Sequence, residues 1–262
     1  MHLWTKAAFT LLLFGLASLT CLAQPDNNFH LYLLAGQSNM AGRGEISGKY
    51  SEEGNLQVYM LNKNNEWVLA KHPLHFDKPA VAGVGPGLSF GIAMAKANPG
   101  VKIGLVPCAV GGTSINTWVP GGYDKATKTH PYDDAVKRIS EAMKSGVFKG
   151  VIWHQGESDS SPEAAAAYYF KLAKLIERFR DLSKNQELPF VAAELGRFKE
   201  QYSAINSVLA EVPKMMKNTA IASSKGLEHK GDVTHFNSPS AEKLGKRFAK
   251  KMLKLKKRRK IY

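Results

Sequence analysis

Residues 29–34 read FHLYLL, and the chain continues directly with AGQSNM at 35–40. The first six residues are apolar and rich in strand formers, so they predict a buried β-strand. Ser38 follows this strand in a turn that contains Gly36. In an open α/β sheet, ligands bind at the carboxyl ends of the strands. The stretch therefore predicts an α/β fold in which the Ser38 hydroxyl lies at the ligand-binding edge of the sheet.

A second short motif near the end of the chain, DVTHF at 232–236, supplies a histidine and a carboxylate. Asp232 lies three residues before His235 and can reach its ring from the same turn. Together with Ser38 these residues are the parts of an acyl-transfer triad, and the chain order serine, aspartate, histidine is one of those that build it. Each motif alone is also compatible with an ordinary turn or helix start, so the interpretation depends on their joint occurrence.

Two further motifs lie between these, each after a run that resembles a strand. The run VKIGLVPCAV at 101–110 leads into GGTS at 111–114. The run GVIW at 150–153 leads into HQGESD at 154–159. Because each motif follows a strand-like run, as Ser38 does, we expect all three to meet at one edge of the sheet.

The Gly-Gly turn suggests an oxyanion hole. Glycine lets a backbone N–H point into a site because no Cβ stands in the way. We expect the N–H groups of Ser38 and of Gly111 or Gly112 to be donors. The side-chain amide of Gln155 is expected to be a further donor. An isolated Gly-Gly pair is otherwise only a bend after a strand.

In this order and spacing, the motifs GQSNM, GGT, HQGE and DxxHF resemble the sialate O-acetylesterase-type domain. That domain includes the acetylxylan esterases of carbohydrate esterase family six and belongs to the SGNH hydrolase superfamily. The resemblance runs from about residue 29 to the helix after His235. The chain has Gly-Gln-Ser where the broader superfamily has Gly-Asp-Ser, and Gln155 where it usually has asparagine. Both differences are typical of the acetylesterase branch.

The resemblance implies a three-layer α/β/α sandwich with a central, mostly parallel sheet of about five strands, as in flavodoxin-like folds. Alternating strand-like and helix-like segments point the same way. No internal repeat or interdomain linker is evident, so one esterase domain is expected over residues 24–249. The implied activity is that of a serine carboxylic-ester hydrolase, which removes acetyl groups from glycans without a cofactor or metal.

Four residues near the motifs are expected to bind the acetylated carbohydrate substrate: Asn39, Arg43, Thr113 and Trp118. Trp118 stands in a polar loop, where an indole offers a face for a sugar ring. Trp153 ends a strand-like run and is expected in the core instead.

The role of Glu157 has two interpretations. The family resemblance suggests a second carboxylate near His235, while a structural acceptor for backbone N–H groups is equally compatible with the sequence. Glu157 and Asp159 lie on one loop, so they cannot flank a sugar ring as a glycosidase pair does. His154 and Glu157 lack a third metal ligand at suitable spacing.

Two other functions stay open from the sequence. A lipid or other small-ester hydrolase of the same superfamily would use the same triad, although the chain has no long apolar lid. A non-catalytic carbohydrate-binding relative would keep the fold but would be free to lose a triad member. The intact set of Ser38, Asp232 and His235 favours an enzyme, whose ester lies on xylan, sialic acid or another glycan.

The N-terminus has the pattern of a cleavable signal peptide over residues 1–23. Lys6 precedes seventeen uncharged residues, and the small residues before Gln24 favour cleavage after Ala23. Seventeen residues are fewer than the roughly 20 that a spanning helix needs. Lipid attachment at Cys21 is not expected, because residues 18–20 match such a site poorly. We therefore expect a secreted or periplasmic protein.

Positive charge is concentrated at the C-terminus. The chain carries a net charge of +14, and residues 246–262 contain ten basic side chains and no acidic one. Without these ten and Lys6, the remainder is only about +3. We expect residues 250–262 to form a basic tail that frays from a helix and is weakly attracted to anionic surfaces or polysaccharides. The sequence has no nucleic-acid motif and does not determine the number of subunits.

Overall fold

The protein is built on one central sheet, in a computed structural model that describes residues 24–258. Its seven strands are, in chain order, β1 (Asp26–Gly36), β2 (Val58–Leu61), β3 (Trp67–Leu69), β4 (Lys102–Pro107), β5 (Gly146–His154), β6 (Phe190–Ala193) and β7 (Thr219–Ala222). They lie in the order β3-β2-β4-β1-β5-β6-β7, and every neighbouring pair except β2 and β3 is parallel. The predicted α/β class with a mostly parallel sheet is confirmed.

Helices lie between most of the strands, and a further helix follows the last strand. In chain order they are α1 (Ser38–Ala41), α2 (Lys49–Glu52), α3 (Pro86–Ala97), α4 (Pro131–Ala142), α5 (Pro162–Leu182), α6 (Tyr202–Met215) and α7 (Ser238–Arg258). Proline opens α3, α4 and α5, where its fixed φ suits the first helical turn and its missing N–H is not needed. Short 3₁₀ turns occur at Ile115–Thr117 and Glu157–Asp159.

Two hydrophobic layers enclose the sheet, and β1 shows how alternation creates them. Leu31 and Leu33 are fully buried in the layer that α4, α5 and α6 complete. Tyr32 and Leu34 point to the opposite face and pack into the layer that contains residues of α3 and α7. Because successive side chains of a strand face opposite sides, one apolar run fills both layers. The result is the expected three-layer sandwich.

The sheet has more strands than the sequence predicts. About five were expected, and β3 in particular was missed. This strand has three residues, pairs antiparallel with β2 and lies at the sheet edge. Val68 and Leu69 are 39% and 48% exposed, so β3 lacks the buried apolar pattern by which strands are recognised in a sequence.

The last helix extends further than expected. Instead of fraying from residue 250, α7 continues to Arg258, and Met252 and Leu255 are buried against the sheet layer. The predicted boundary at residue 249 therefore falls inside a packed helix. The sequence suggests a tail here because many lysines on the outer face of the helix alternate with the residues of its apolar face. Within residues 24–258, no helix has the length and apolarity needed to cross a membrane. The predicted signal peptide at 1–23, including Cys21, and the end of the tail at 259–262 lie outside the described residues.

Cys108 follows β4 directly. The sequence predicts a small core residue here, and the side chain is buried as expected. Burial raises the pKa of its thiol to about 12, because the thiolate is poorly solvated in the core. It is the free cysteine of the described part of the chain.

The sheet order brings three loops together at one edge. Strands β4, β1 and β5 are neighbours, and the segments that follow them carry the three motifs at 111–114, 36–40 and 154–159. Backbone hydrogen bonds tie these segments together: Gln37 N donates to His154 O at 2.9 Å, and Val110 N donates to Gly36 O at 3.0 Å. The parallel arrangement therefore places all three motifs at the carboxyl edge.

Candidate active site

Ser38 is the first residue of the short helix α1, and only Gln37 separates it from the end of β1. The turn requires Gly36, which has φ +131° and lies so close to β5 that a Cβ would be 2.1 Å from His154 O. Gln37 is extended, and the chain turns into α1 directly after it. Ser38 is thereby held at the sheet edge with 7% of its surface exposed.

The structure brings Ser38, His235 and Asp232 together as a hydrogen-bonded chain. Ser38 Oγ lies 3.0 Å from His235 Nε2, and His235 Nδ1 lies 2.7 Å from Asp232 Oδ2. The His235 side chain is 24% exposed, so the histidine is reachable from solvent. Serine, histidine and carboxylate thus have the mutual contacts that nucleophilic acyl transfer requires.

Asp232 fixes its own turn as well as the histidine. Its Oδ1 accepts hydrogen bonds from the backbone N–H groups of Thr234 and His235, which leaves Oδ2 for the imidazole. Burial alone would raise the pKa of Asp232, but the N–H and the ring of His235 lower it to about 2. The carboxylate is therefore ionised at neutral pH. Val233, which lies between Asp232 and Thr234, has φ +55°, an unusual value for a β-branched residue.

Asn39 joins helix α1 to the loop that carries His235. Its Nδ2 donates to Thr234 O at 3.0 Å, and its Oδ1 accepts from Phe236 N at 3.0 Å, on either side of His235. The side chain is 3% exposed. The expected substrate contact by Asn39 therefore does not match its position, since both ends of the amide are bonded to protein.

Glu157, in the turn that follows β5, contacts Asn39. Its Oε1 accepts from Asn39 Nδ2 at 2.7 Å and lies 3.6 Å from His154 Nδ1, and its side chain is 5% exposed. Burial lowers the pKa of His154, although the nearby carboxylate opposes that shift. The structure gives Glu157 a contact with Asn39 rather than with His235. This contact favours the structural interpretation, although Glu157 accepts from a side-chain amide and not from backbone N–H groups.

Two backbone N–H groups are available for an oxyanion. Among the described residues, no acceptor lies on the N–H of Ser38 or of Gly112. The N–H of Gly111, in contrast, donates to Asp77 Oδ2 at 2.8 Å. Of the two expected alternatives, the geometry therefore favours Gly112. Its φ of +92° suits glycine, and a Cβ there would meet only Lys78 Nζ, at 4.0 Å.

Gln155 is fully buried, and its amide is bonded to protein on all sides. Nε2 donates to Asp159 Oδ2 at 2.5 Å, to Thr113 O at 3.0 Å and to Gln37 Oε1 at 3.1 Å. The expected role as an oxyanion donor does not fit these contacts. Gln155 instead connects the loops that follow β1, β4 and β5.

Arg43 forms a buried ion pair behind the Gly-Gly turn. Its Nη2 lies 2.8 Å from Asp77 Oδ2, and the two side chains are 5% and 2% exposed. Burial alone would raise the pKa of Asp77, but the guanidinium and the N–H of Gly111 lower it. Arg43 therefore holds a carboxylate and does not face substrate, contrary to expectation. Asp77 itself was not predicted, because it lies in a loop without a motif.

Thr113 and Trp118 also belong to the interior. Thr113 is fully buried, and its Oγ1 donates to Val110 O and accepts from Trp118 Nε1. Trp118 is 1% exposed and packs edge-on against Trp153 at 4.9 Å between ring centroids. Neither side chain faces solvent, so the expected substrate contacts do not match the positions of these residues. The polar neighbours of Trp118 in the sequence indicate an exposed loop, whereas the indole lies in the core.

A family comparison matches almost the entire described chain. The model described as "Carbohydrate esterase, sialic acid-specific acetylesterase" matches residues 28–254. The chain belongs to this family. A protein of Arabidopsis thaliana described as a probable carbohydrate esterase is 31% identical over 234 residues, which cover 82% of this chain and 86% of that protein. The resemblance seen in the sequence is thus confirmed, and the chain is an SGNH-type carbohydrate esterase.

Solved structures of relatives share the fold. The X-ray structure of that Arabidopsis protein superposes with a TM-score of 0.76 at 30% identity, covering 86% of this chain and 98% of the other. The structure of NanS gives 0.71 at 19% identity, with 90% and 99% covered. A carbohydrate acetylesterase from Xanthomonas citri gives 0.65 at 19% identity, with 84% and 55% covered. The family's sheet and layers are therefore those described above.

Proposed function

We propose that the protein is an exported carbohydrate O-acetylesterase that uses Ser38, His235 and Asp232 to remove acetyl groups from glycans of the acetylated-xylan or sialic-acid type. One observation carries the proposal: in a carbohydrate esterase of this family, Ser38 Oγ, the His235 ring and Asp232 form a continuous hydrogen-bonded chain. The same three side chains would serve a lipid esterase, so the acyl group and the alcohol are assigned from the family alone.

Acylation begins at the serine. Ser38 Oγ attacks the acetyl carbonyl carbon while His235 Nε2 takes the hydroxyl proton, and Asp232 stabilises the resulting imidazolium. The negative charge moves to the carbonyl oxygen, which accepts hydrogen bonds from the N–H groups of Ser38 and Gly112. Loss of one such donor typically costs about 3 kcal/mol of transition-state stabilisation. The C–O bond to the sugar then breaks as His235 returns the proton to the leaving sugar oxygen.

Deacylation repeats the sequence with water. His235 takes a proton from a water molecule that attacks the acetyl-serine ester, and the tetrahedral intermediate uses the same two N–H groups. Collapse releases acetate and returns the proton to Ser38 Oγ. The exposure of His235 provides a route for this water.

The experiment is acetate release from a panel of acetylated glycans by the wild-type protein and by Ser38→Ala. Ser51→Ala, which alters an exposed serine of α2, is the matched control. Ser38→Ala should lose several orders of magnitude in rate with an unchanged melting temperature, and Ser51→Ala should lose nothing. Retained activity in folded Ser38→Ala would exclude the proposed nucleophile. Faster release of long-chain acyl groups than of acetyl would favour the lipid-esterase alternative.

Export is a separate part of the proposal. It is supported by the signal-peptide pattern at 1–23 in the sequence. N-terminal sequencing of the mature protein from culture medium or periplasm should begin at Gln24. A cytosolic protein that retains Met1 would contradict this part without affecting the esterase assignment.

A further inference from the structure

The outer face of α7 carries a row of lysines. Counted along the helix, they follow one another at intervals of three or four residues, which places them on one side. All are exposed, and together they are called the lysine track: Lys243, Lys246, Lys250, Lys254 and Lys257. With a rise of 1.5 Å per residue, the track is about 21 Å long.

The opposite face of the helix accounts for its packing. Leu244, Phe248, Met252 and Leu255 are buried in the core layer between α7 and the sheet. The track therefore takes no part in holding the helix to the domain. Like charges at this spacing repel one another, so the track adds nothing to helix stability by itself.

Few carboxylates lie against the track. Within the described residues, Lys246 binds Glu242 Oε1 at 2.5 Å, and no ion pair joins the other four track lysines to a carboxylate. Glu242 is also bound by Lys49 on α2, which adds a cation beside the start of the track. The surface is consequently a band of net positive charge in which Lys246 is paired with a carboxylate.

The position of the track connects it to the catalytic site. Helix α7 starts at Ser238, three residues after His235, and Lys243 is eight residues from that histidine. From there the track leads away from the carboxyl edge of the sheet along one side of the molecule. A linear polymer bound on the track would thus have one end near Ser38 and His235.

We propose that the lysine track binds a linear polyanionic glycan, and that the acetylated substrate is an acidic polysaccharide and not a free monosaccharide. The inference rests on the proposed esterase function, which supplies the glycan. A band of one sign raises the local concentration of an oppositely charged polymer and speeds its encounter with the site. A membrane fits less well, because helices that insert at lipid interfaces need exposed apolar residues. Among the described residues of α7, no large apolar side chain is exposed.

The binding test uses protein that cannot turn over substrate. In a Ser38→Ala background, the triple variant Lys243→Gln/Lys250→Gln/Lys254→Gln is compared with Lys137→Gln/Lys174→Gln/Lys217→Gln. The control removes the same charge from exposed lysines in or next to α4, α5 and α6, in the opposite layer. The probe is polygalacturonate, with neutral dextran as the uncharged polymer. The track variant should bind polygalacturonate roughly tenfold more weakly, the control like the parent, and salt should abolish the difference.

Three binding results would overturn the proposal. They are equal weakening in both triple variants, no binding of polygalacturonate by the parent, and binding to phosphatidylserine vesicles but not to polygalacturonate. The first would show dependence on net charge alone, and the third would identify the track as a membrane surface.

A kinetic arm separates this inference from the proposed function. With active Ser38, the track variant should hydrolyse 4-nitrophenyl acetate at the wild-type rate, because the triad is untouched. Its KM for acetylated polygalacturonate should rise roughly tenfold, with kcat unchanged. If the wild-type protein hydrolyses neither ester, the esterase assignment fails, while the binding arm still decides whether the track holds a polyanion. If the two triple variants have equal KM values, the track does not recruit substrate.

Discussion

The side chain of Asn39, the residue after Ser38, donates to Glu157 Oε1 at 2.7 Å. This contact fixes which end of the Asn39 amide carries the hydrogens. The amide oxygen is consequently left for Phe236 N, and the nitrogen also reaches Thr234 O. Glu157 is therefore linked through Asn39 to the loop that carries His235, without touching the imidazole.

The two carboxylates should differ in their effect on catalysis. Asp232→Asn should lower kcat by up to about 10⁴, because a neutral amide no longer holds the imidazole tautomer. Glu157→Gln should cost less, since the amide oxygen can still accept from Asn39. Steady-state kinetics of both single variants and of the double variant measure this. The costs should fail to add, because both residues act on one histidine loop.

Glu163→Gln, at an exposed position in the first turn of α5, is the control for this comparison. A larger loss for Glu157→Gln than for Asp232→Asn would make Glu157 the triad acid. Strict additivity would show that Glu157 does not act through the loop at all.

Asp77 should determine the orientation of the Gly-Gly turn at residues 111–112. Asp77→Asn weakens the buried ion pair with Arg43 and the hydrogen bond from the Gly111 N–H. The neighbouring N–H of Gly112 is then no longer held in one direction. We expect a lower kcat with KM little changed, and weaker binding of a boronate transition-state analogue. Breaking a buried ion pair from one side also destabilises a protein by about 3–5 kcal/mol.

A double variant distinguishes positioning from mere stability. Arg43→Met/Asp77→Leu removes both charges and should recover stability, because well-packed apolar pairs often replace buried ion pairs without loss. It should not recover kcat, since leucine offers no acceptor to Gly111. Recovery of kcat together with the melting temperature would show that Asp77 serves stability alone.

Trp118 should affect stability and not substrate binding. Trp118→Ala removes a buried indole that packs on Trp153, at a typical cost of about 3–5 kcal/mol in the free energy of unfolding. Trp118→Phe keeps most of the volume and should cost less while leaving KM for acetylated glycan unchanged. Chemical denaturation and kinetics on the same preparations provide the check. A raised KM in Trp118→Phe with normal stability would return this residue to the substrate site.

Acid should destabilise the fold through His30. Burial, assisted by Lys256 and Lys149, lowers the pKa of His30 from 6.5 to about 4. The unfolded chain therefore binds this proton more readily, so the contribution to stability is present above pH 6.5 and is lost as the pH falls toward about 4. His30→Gln should flatten the fall in the free energy of unfolding over that window. Identical slopes for wild type and variant would remove His30 as the cause.

The sequence predicted the segments of the site well because strand ends in a parallel sheet share one edge. An apolar run before Ser38, another before Gly111 and a third before His154 were enough to place three loops together. Asp232 and His235 were linked by their spacing of three residues alone. These are local signals, and the fold needs only the sheet order to assemble them.

The polar contacts within the site were not predictable in the same way. Whether Gly111 or Gly112 offers its N–H depends on Asp77, which lies about 35 residues earlier in a loop without a motif. The amide of Gln155 looks like a free donor in the sequence, but Gln37 and Asp159 engage it. Hydrogen-bond partners are chosen in three dimensions, and a motif shows only one of the two partners.

The rate at which Cys108 is chemically modified should report motion at the carboxyl edge of the sheet. It lies between β4 and the Gly-Gly turn, where burial raises the pKa of its thiol, so we expect alkylating reagents to reach it mainly when that edge of the sheet opens. The modification rate should therefore report how often the Gly-Gly turn separates from strands β4 and β1. A polymer or transition-state analogue bound at Ser38 should slow this rate. The modification of Cys108 would then measure how fully the site is occupied.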